Sequence, residues 1–339
     1  MGKSILLLTD YKGFFGTKQK SKIYRGGMDL DKISDLFAKS GYDIKRKAFT
    51  EISFKDIIDE KPIVLYTSSE DKGSLYKSFI EDIIFHLEMS GITVLPKFQY
   101  LRAHNNKVAM ELLRERSNFD PIKTIRSRVF GTIEEIKTVA NSFNYPLVIK
   151  PASGAMSRGV SKAETLAELI RNAKAISSSK DFWHDLKEKL REIKYFKKFA
   201  RESFYREKFI VQNLVEGLSN DWKVLVYGNR CYALYRGVRD GDFRASGSGK
   251  FIFKDDLPSG MLDFAFEIKN YFDVPHISLD IGFDGKNFHL IEFQFIYFGT
   301  TTIEKAPFYF EKQSNEWVLC HSSSDLEVEY VKSIVEYLK

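Results

Sequence analysis

The chain has 339 residues, 43% of them apolar and 29% charged, and a formal net charge of +6. That length is too great for one ordinary core and predicts two or three lobes with a cleft, while the composition excludes a disordered, collagen-like or low-complexity protein. Two cysteines, Cys231 and Cys320, without CxxC spacing, argue against a disulfide framework or a zinc site. The apolar run at the N-terminus is too short for a secretory segment, and no later stretch reaches the roughly 18 residues needed to span a bilayer. A cytoplasmic protein without membrane insertion is therefore expected.

Residues 4–9 (SILLLT) read as a buried strand, followed by a loop over 11–27 and a helix near 28–40 that Gly41 stops. Residues 43–49 and 62–67 read as strands, 74–90 as a helix ended by Gly91, and 92–95 as another strand. This alternation predicts an α/β domain with a largely parallel sheet. Loops 11–27 and 67–73 follow strands, the ends at which open α/β sheets bind ligands. The first carries Lys12, Lys18, Lys20, Lys22 and Arg25, and reads either as a contact for an acidic substrate or as a mobile solvated loop.

A helix at 106–116 and an extended link at 120–128 containing Pro121 come next. Then follow a helix at 132–143, a strand at 147–150, a Gly/Ser loop, and helices at 163–176 and 181–204. Residues 147–160 (LVIKPASGAMSRGV) deliver Lys150 at a strand end, then a loop able to present N–H groups to phosphate. Its spacing is not that of a P-loop, and a strand end with a surface loop is the alternative. Residues 187–206 concentrate basic side chains among Tyr and Phe. Because Leu190, Ile193, Phe196, Phe199 and Ala200 recur at three- and four-residue steps, a solvated helix face is favoured over a nucleic-acid surface.

Beyond residue 208 the chain is strand-rich, with a helix at 258–271 and a final helix at 325–339. The strand at 209–215 runs into Glu216 and Asp221 and reads as a purine- and ribose-binding connector or as an interdomain strand. Arg236, Arg239 and Arg244 surround small residues in 237–250, either as forks for carboxylate or phosphate or as solvated arginines on a turn. In 279–294 (LDIGFDGKNFHLIEFQ) an Asp-Gly turn predicts a hairpin in which Glu292 and Gln294 leave one face and Asp280 approaches it from the partner strand. Two carboxylates and an amide suit Mg²⁺; a plain hairpin with an exposed Glu is the alternative. His276 and His289 flank this hairpin and read as structural.

Taken in order, the strand ending in Lys-Pro, the Gly/Ser loop, QNLVEG, DWKVLVYGNRCYALYR, GDFRASGSG, and Asp280 followed by Glu292 resemble the ATP-grasp superfamily over about 106–300. Amino-acid ligases of the ribosomal-protein glutamate-ligase and glutathione-synthetase kind are the nearest likeness. The resemblance implies an α/β (α+β) ATP-grasp fold with an N-terminal α/β pre-grasp domain over 1–105. It also implies a small central α+β subdomain over 106–207, with the basic helical segment 180–206, and a C-terminal antiparallel-sheet domain over 208–339. Lys107 and Lys150 would contact ATP phosphates, and Ser153, Gly154, Ser157 and Gly159 belong to the loop closing over them. Gln212, Asn213 and Leu214 would lie at adenine, Asp221 near ribose with Lys223 beside it, and Arg244 at the transferred phosphoryl group. Asp280, Glu292 and Gln294 correspond to ligands of Mg²⁺, with Mn²⁺ as the alternative ion.

The implied activity joins a small-molecule carboxylate to an amine through an acylphosphate, with a small metabolite or a cell-surface glycan precursor as acceptor. A homodimer follows only by analogy. Two departures stand out: Gln294 replaces the usual Asn, and QFIYFGTT replaces the usual Asn-x-x-Pro-Gly turn. An ATP-dependent phosphotransferase and a nucleotide-binding interaction protein without turnover are the alternatives, with nucleic-acid binding behind them.

Overall fold

The computed structural model describes residues 4–154, 156–218, 220–237 and 251–339. They divide into two compact units, one formed by Met1–His104 with Leu218–Lys339, the other by Asn105–Gly217.

The first segment builds a parallel sheet from β1 (Ser4–Thr9), β2 (Asp43–Ala48), β3 (Ile63–Tyr66) and β4 (Val94–Leu95), in the order β2-β1-β3-β4. Helices α1 (Leu30–Lys39), α2 (Phe54–Glu60) and α3 (Leu75–Met89) connect the strands, and α4 (Phe98–Ala103) follows. Residues 5–8 of β1 are all apolar because both faces of the strand are covered: Ile5 and Leu7 enter one core cluster, Leu6 and Leu8 another. Asp29 caps α1 by accepting from the N–H groups of Asp31 and Lys32, and Ile33 and Phe37, one turn apart, are buried. The short helices α2 and α4 were not expected from the sequence.

The loop over 11–27 is tied down rather than mobile. Phe15 is buried, Met28 N donates to Phe15 O at 2.9 Å and Gly16 N to Thr67 Oγ1 at 3.0 Å. Lys18 Nζ donates to the buried Glu327 at 2.6 Å, and Gln19 N and Lys20 N donate to Glu304 at 2.7 and 2.9 Å.

The second unit comprises α5 (Lys107–Arg116), β5 (Ser127–Phe130), α6 (Glu134–Val139), β6 (Leu147–Pro151), β7 (Ser161–Ala163), α7 (Leu166–Ser177), α8 (Phe182–Tyr195) and β8 (Phe209–Asn213). Its antiparallel sheet runs β5-β8-β6-β7. Phe130, Leu147, Ile149, Phe209 and Val211 line one face and pack with Ile136, Leu169 and Ala173; by strand alternation Lys150, Ile210 and Gln212 belong to the other. The link over 120–128 thus runs into a strand. The basic helix stops at Tyr195, where Phe196 takes a left-handed φ of +44°. Its basic side chains Lys187, Lys189, Arg191 and Lys194 are exposed, as a solvated face predicts, but Glu188 is buried and the apolar side also faces out.

The last segment supplies β9 (Asn220–Tyr227), β10 (Arg230–Gly237), β11 (Phe251–Ile252), α9 (Met261–Phe272), β12 (His276–Phe283), β13 (Phe288–Gln294), α10 (Thr301–Lys305), β14 (Tyr309–Gln313), β15 (Glu316–Cys320) and α11 (Leu326–Tyr337). The strands form the order β13-β12-β9-β10-β14-β15, with β11 on β10. Phe272 of α9 stacks on Phe293 on one face, at 5.1 Å between ring centroids. On the other face Tyr330 and Ile334 of α11 share a cluster with Leu225, Tyr227 and Tyr232, and also with Ile5, Leu7, Ile33 and Phe37. The two sequence segments of this unit therefore close one core. Among the described residues no helix is long and apolar enough to cross a membrane.

Candidate functional site

On β9, Leu225 and Tyr227 lie under α11, whereas Asp221 and Lys223 continue the same face beyond it. The β9–β10 hairpin turns at Gly228–Asn229, pairing Tyr227 with Arg230 and Asp221 with Arg236. β12 sets Asp280 opposite Lys223, and β13 sets Glu292 opposite Asp280 and Gln294 opposite Ser278. Ile281 pairs with Leu290, so Ile291 is the extra residue of a β-bulge. Opposed and alternate residues share a face. Asp221, Lys223, Arg236, Asp280, Glu292 and Gln294 consequently stand together.

Arg236, read from the sequence either as a fork for carboxylate or phosphate or as a solvated arginine on a turn, is instead held inside the protein. It is buried; Nε donates to Asp221 Oδ1 at 2.5 Å, and Nη2 lies 2.8 Å from Asp280 Oδ2. Lys223 Nζ donates to the other oxygen of Asp280 at 3.3 Å. Burial pushes both carboxyls up. At Asp280 the charges of Arg236 and Lys223 outweigh it and hold the group below the usual range; at Asp221 burial prevails, aided by the negative charge of Asp280. Asp221, expected near a ribose, is thus buried and already engaged, because the hairpin register puts it opposite Arg236.

Gln294 Nε2 donates to Glu292 Oε1 at 3.3 Å. Among the described residues no three His, Cys, Asp or Glu side chains gather as a metal site; the candidate set is two carboxylates and an amide. These are hard oxygen donors, and among the described residues the face carries three carboxylates, Asp221, Asp280 and Glu292, against two cations, Lys223 and Arg236. Donor type and residual charge fit a divalent cation such as Mg²⁺. The neighbouring histidines are engaged elsewhere. His289 Nε2 lies 2.8 Å from Asp284 Oδ2, and His276 stacks on Tyr227, with burial pushing its imidazole down to about 3.

In the second unit, Lys107 opens α5 and is joined to the Gly/Ser loop. Lys107 N donates to Ala152 O at 2.7 Å, its Nζ to Gly154 O at 3.1 Å, and Gly154 N to Asn105 Oδ1 at 2.8 Å. Lys150 precedes this anchor by two residues at the end of β6. Ser153, Gly154 and Gly159 are exposed and Ser157 is half-buried. Gly154, Met156, Ser157 and Gly159 all take positive φ. At Gly159 a Cβ would come within 3.3 Å of both Pro151 and Ile176, which explains a glycine there.

The Gln212 side chain is turned inward: Nε2 donates to Ser127 Oγ at 2.8 Å, and Ser127 donates to Glu111 at 2.6 Å. Asn213 is exposed, its N–H donating to Arg126 O at 3.0 Å, and Leu214 is half-buried. Arg244 lies outside the described residues, as does Arg239.

The segment QFIYFGTT is an apolar anchor. Phe295 stacks on Tyr100 at 4.0 Å, Ile296 joins the cluster of Leu8 and Tyr66, and Phe298 joins that of Ile5 and Leu225. In the loop over 11–27, Lys18 is committed to Glu327, and Lys22 pairs with Asp29 at 3.2 Å.

No protein-family profile and no curated protein matches the chain. Solved structures do. D-cycloserine synthetase DcsG superposes with a TM-score of 0.55 at 12% identity, covering 99% of this chain and 100% of that one. A RimK domain protein ATP-grasp from Sphaerobacter thermophilus gives 0.51 at 10% identity and 98% coverage of both. A RiPP-associated ATP-grasp ligase from Chryseobacterium gregarium, in complex with ADP and a leader and core peptide, gives 0.52 at 14%, covering 99% and 96%. The chain has the ATP-grasp fold. Within this fold the antiparallel sheet carries the acidic face, and the Asn105–Gly217 unit carries the two lysines and the Gly/Ser loop.

Proposed function

We propose that the protein is an ATP-dependent carboxylate–amine ligase. One observation carries the reading: in a chain of ATP-grasp fold, Asp280 and Glu292 are directly opposed, with Gln294 on the same face and Lys223 and Arg236 beside them. Asp280, Glu292 and Gln294 would hold Mg²⁺, or Mn²⁺, which when bound neutralises phosphate oxygens. Lys150 and Lys107 meet the phosphates of ATP, and the loop over 153–159 offers them backbone N–H groups. Gln212, Asn213 and Leu214 border the adenine at the end of β8. Arg244 takes the transferred phosphoryl group on the resemblance alone. Asp221 acts through Arg236, fixing the guanidinium that orients Asp280.

In the reaction a substrate carboxylate oxygen attacks the γ-phosphorus, the bond to the β–γ bridging oxygen breaks, and ADP leaves. The amine then attacks the acyl carbon, the carbon–oxygen bond to phosphate breaks, and loss of the amine proton leaves an amide and phosphate. Positioning and charge neutralisation supply the catalysis, with no protein nucleophile. Among the similar structures are a synthetase and a peptide-associated ligase seen with ADP, in keeping with this chemistry. The acceptor is a small metabolite or a glycan precursor bearing acid groups, met by Lys20 and Arg25, the loop cations not engaged as Lys18 and Lys22 are.

Thermal unfolding with a non-hydrolysable ATP analogue and Mg²⁺ tests the reading. At a hundredfold excess over Kd the ligand should stabilise the wild type by about 3 kcal/mol, and Glu292→Ala should lose the metal-dependent part while Lys150→Ala weakens the whole. No shift in the wild type at millimolar nucleotide would sink the proposal.

A further inference from the structure

Helix α8 shows its apolar side to solvent. Trp183 is 71% exposed and Ile193 68%, and Phe182, Leu186 and Leu190 are exposed with them. At 100° per residue these five side chains fall within an arc of about 100°. The opposite arc holds His184, Asp185, Glu188 and Glu192, all engaged within the unit. Glu188, 5% exposed, accepts from Arg191 at 2.8 Å and from Glu202 N at 3.3 Å. Arg206 donates to Asp185 at 2.7 Å, His184 lies 3.1 Å from Glu202, and Arg201 donates to Glu192 at 3.2 Å. The acids of the helix are therefore all paired within the unit, with Asp185 and Glu188 largely covered and Glu192 at the surface, which leaves the apolar arc outward.

The borders of that arc are cationic. Lys189 stands on one side, Lys187 and Lys194 on the other, all exposed, and Lys197 and Lys198 follow the helix. Two aromatic residues, Phe182 and Trp183, stand at the start of the arc. The arc is thus an apolar ridge of five exposed side chains along the helix. Against a second copy of itself, lysine borders would meet lysine borders. Against an anionic bilayer, the apolar arc enters the acyl boundary while lysine stems lie along it and their ammonium groups reach the headgroups.

We infer that α8 docks the protein on an anionic lipid surface, lying in the plane of the interface with Phe182, Trp183, Leu186, Leu190 and Ile193 toward the acyl chains. The test is co-sedimentation of the full chain with vesicles of phosphatidylcholine alone and of phosphatidylcholine with phosphatidylglycerol, at low and high salt. The wild type should partition onto the anionic vesicles, less so at high salt. Leu190→Asp with Ile193→Asp, and separately Lys187→Glu with Lys194→Glu, should each weaken partitioning by at least about tenfold. Because all four side chains are exposed, circular dichroism and thermal unfolding should match the wild type. Trp183 emission should shift to the blue on binding, a change absent from Trp183→Phe. Partitioning that is absent, equal on neutral vesicles or equal in the variants would overturn the inference. So would a lipid-free dimer that the Leu190→Asp, Ile193→Asp pair converts to monomer, since a second copy would then cover the ridge.

Discussion

Arg236 holds two carboxylates that could not otherwise share a buried face. Removing one partner of a buried ion pair leaves charge without compensation, at a cost of about 3–5 kcal/mol. Arg236→Met should destabilise the protein by that order in urea unfolding at pH 7. The sign of the pH dependence follows from Asp280. Its folded carboxyl is held below the unfolded value, so its contribution is present above the ordinary carboxylate range and is lost as pH falls through the lowered value. Without Arg236, Asp280 and Asp221 both take up protons more readily in the folded than in the unfolded chain. The difference between variant and wild type should therefore shrink from pH 7 to pH 4; a constant difference would mean that Arg236 acts by packing alone. The Asp221–Arg236 pair was not read from the sequence, although the two-residue turn Gly228–Asn229 fixes the register of the whole hairpin and would have set the two opposite each other. That Asp280 shares a face with Glu292 was expected from the hairpin, but the bulge that pairs them was not. Counting back from Phe283–Phe288 sets Asp280 against Ile291, and only the bulge brings Glu292 opposite.

Among the elements, long periodic ones such as α1, α3 and α11 could be read from spacing and caps. Helices α2 and α4 were not read because one or two turns give too few repeats of the 3.6-residue period. The loop over 11–27 shows what local pattern leaves out: its lysines suggest solvation, but its anchors come from Thr67, Phe298, Glu304 and Glu327, far away in sequence. Gly27 is the backbone hinge of that anchorage. It takes a φ of +77°, and a Cβ there would lie 2.4 Å from Phe15 O, the acceptor of the bond from Met28 N. Gly27→Ala should therefore cost about 2 kcal/mol or more in thermal unfolding, and trypsin should cut faster at Lys20, Lys22 and Arg25. Unchanged cleavage would show that the contacts to Glu304 and Glu327 hold the loop by themselves.

At the scale of the whole molecule, the two units differ in how the chain makes them. Asn105–Gly217 is continuous and owns its sheet and core, with Phe130, Ile136, Leu147, Ile149, Leu169, Phe209 and Val211 in one cluster. The other unit is assembled from two distant segments, and β1 and α1 bury Ile5, Leu7, Ile33 and Phe37 against Leu225, Tyr227, Tyr330 and Ile334. Burying such side chains is worth roughly 1.5–3 kcal/mol each, a large share of the stability of a domain this size. A fragment of residues 105–217 should accordingly unfold in one cooperative thermal transition. A fragment of residues 1–104 should show none and should bind a hydrophobic dye, and co-expression with 218–339 should restore the transition. A cooperative transition in 1–104 alone would mean that the β1–β4 sheet closes its own core, leaving Tyr330 and Ile334 as a cover over a domain already folded.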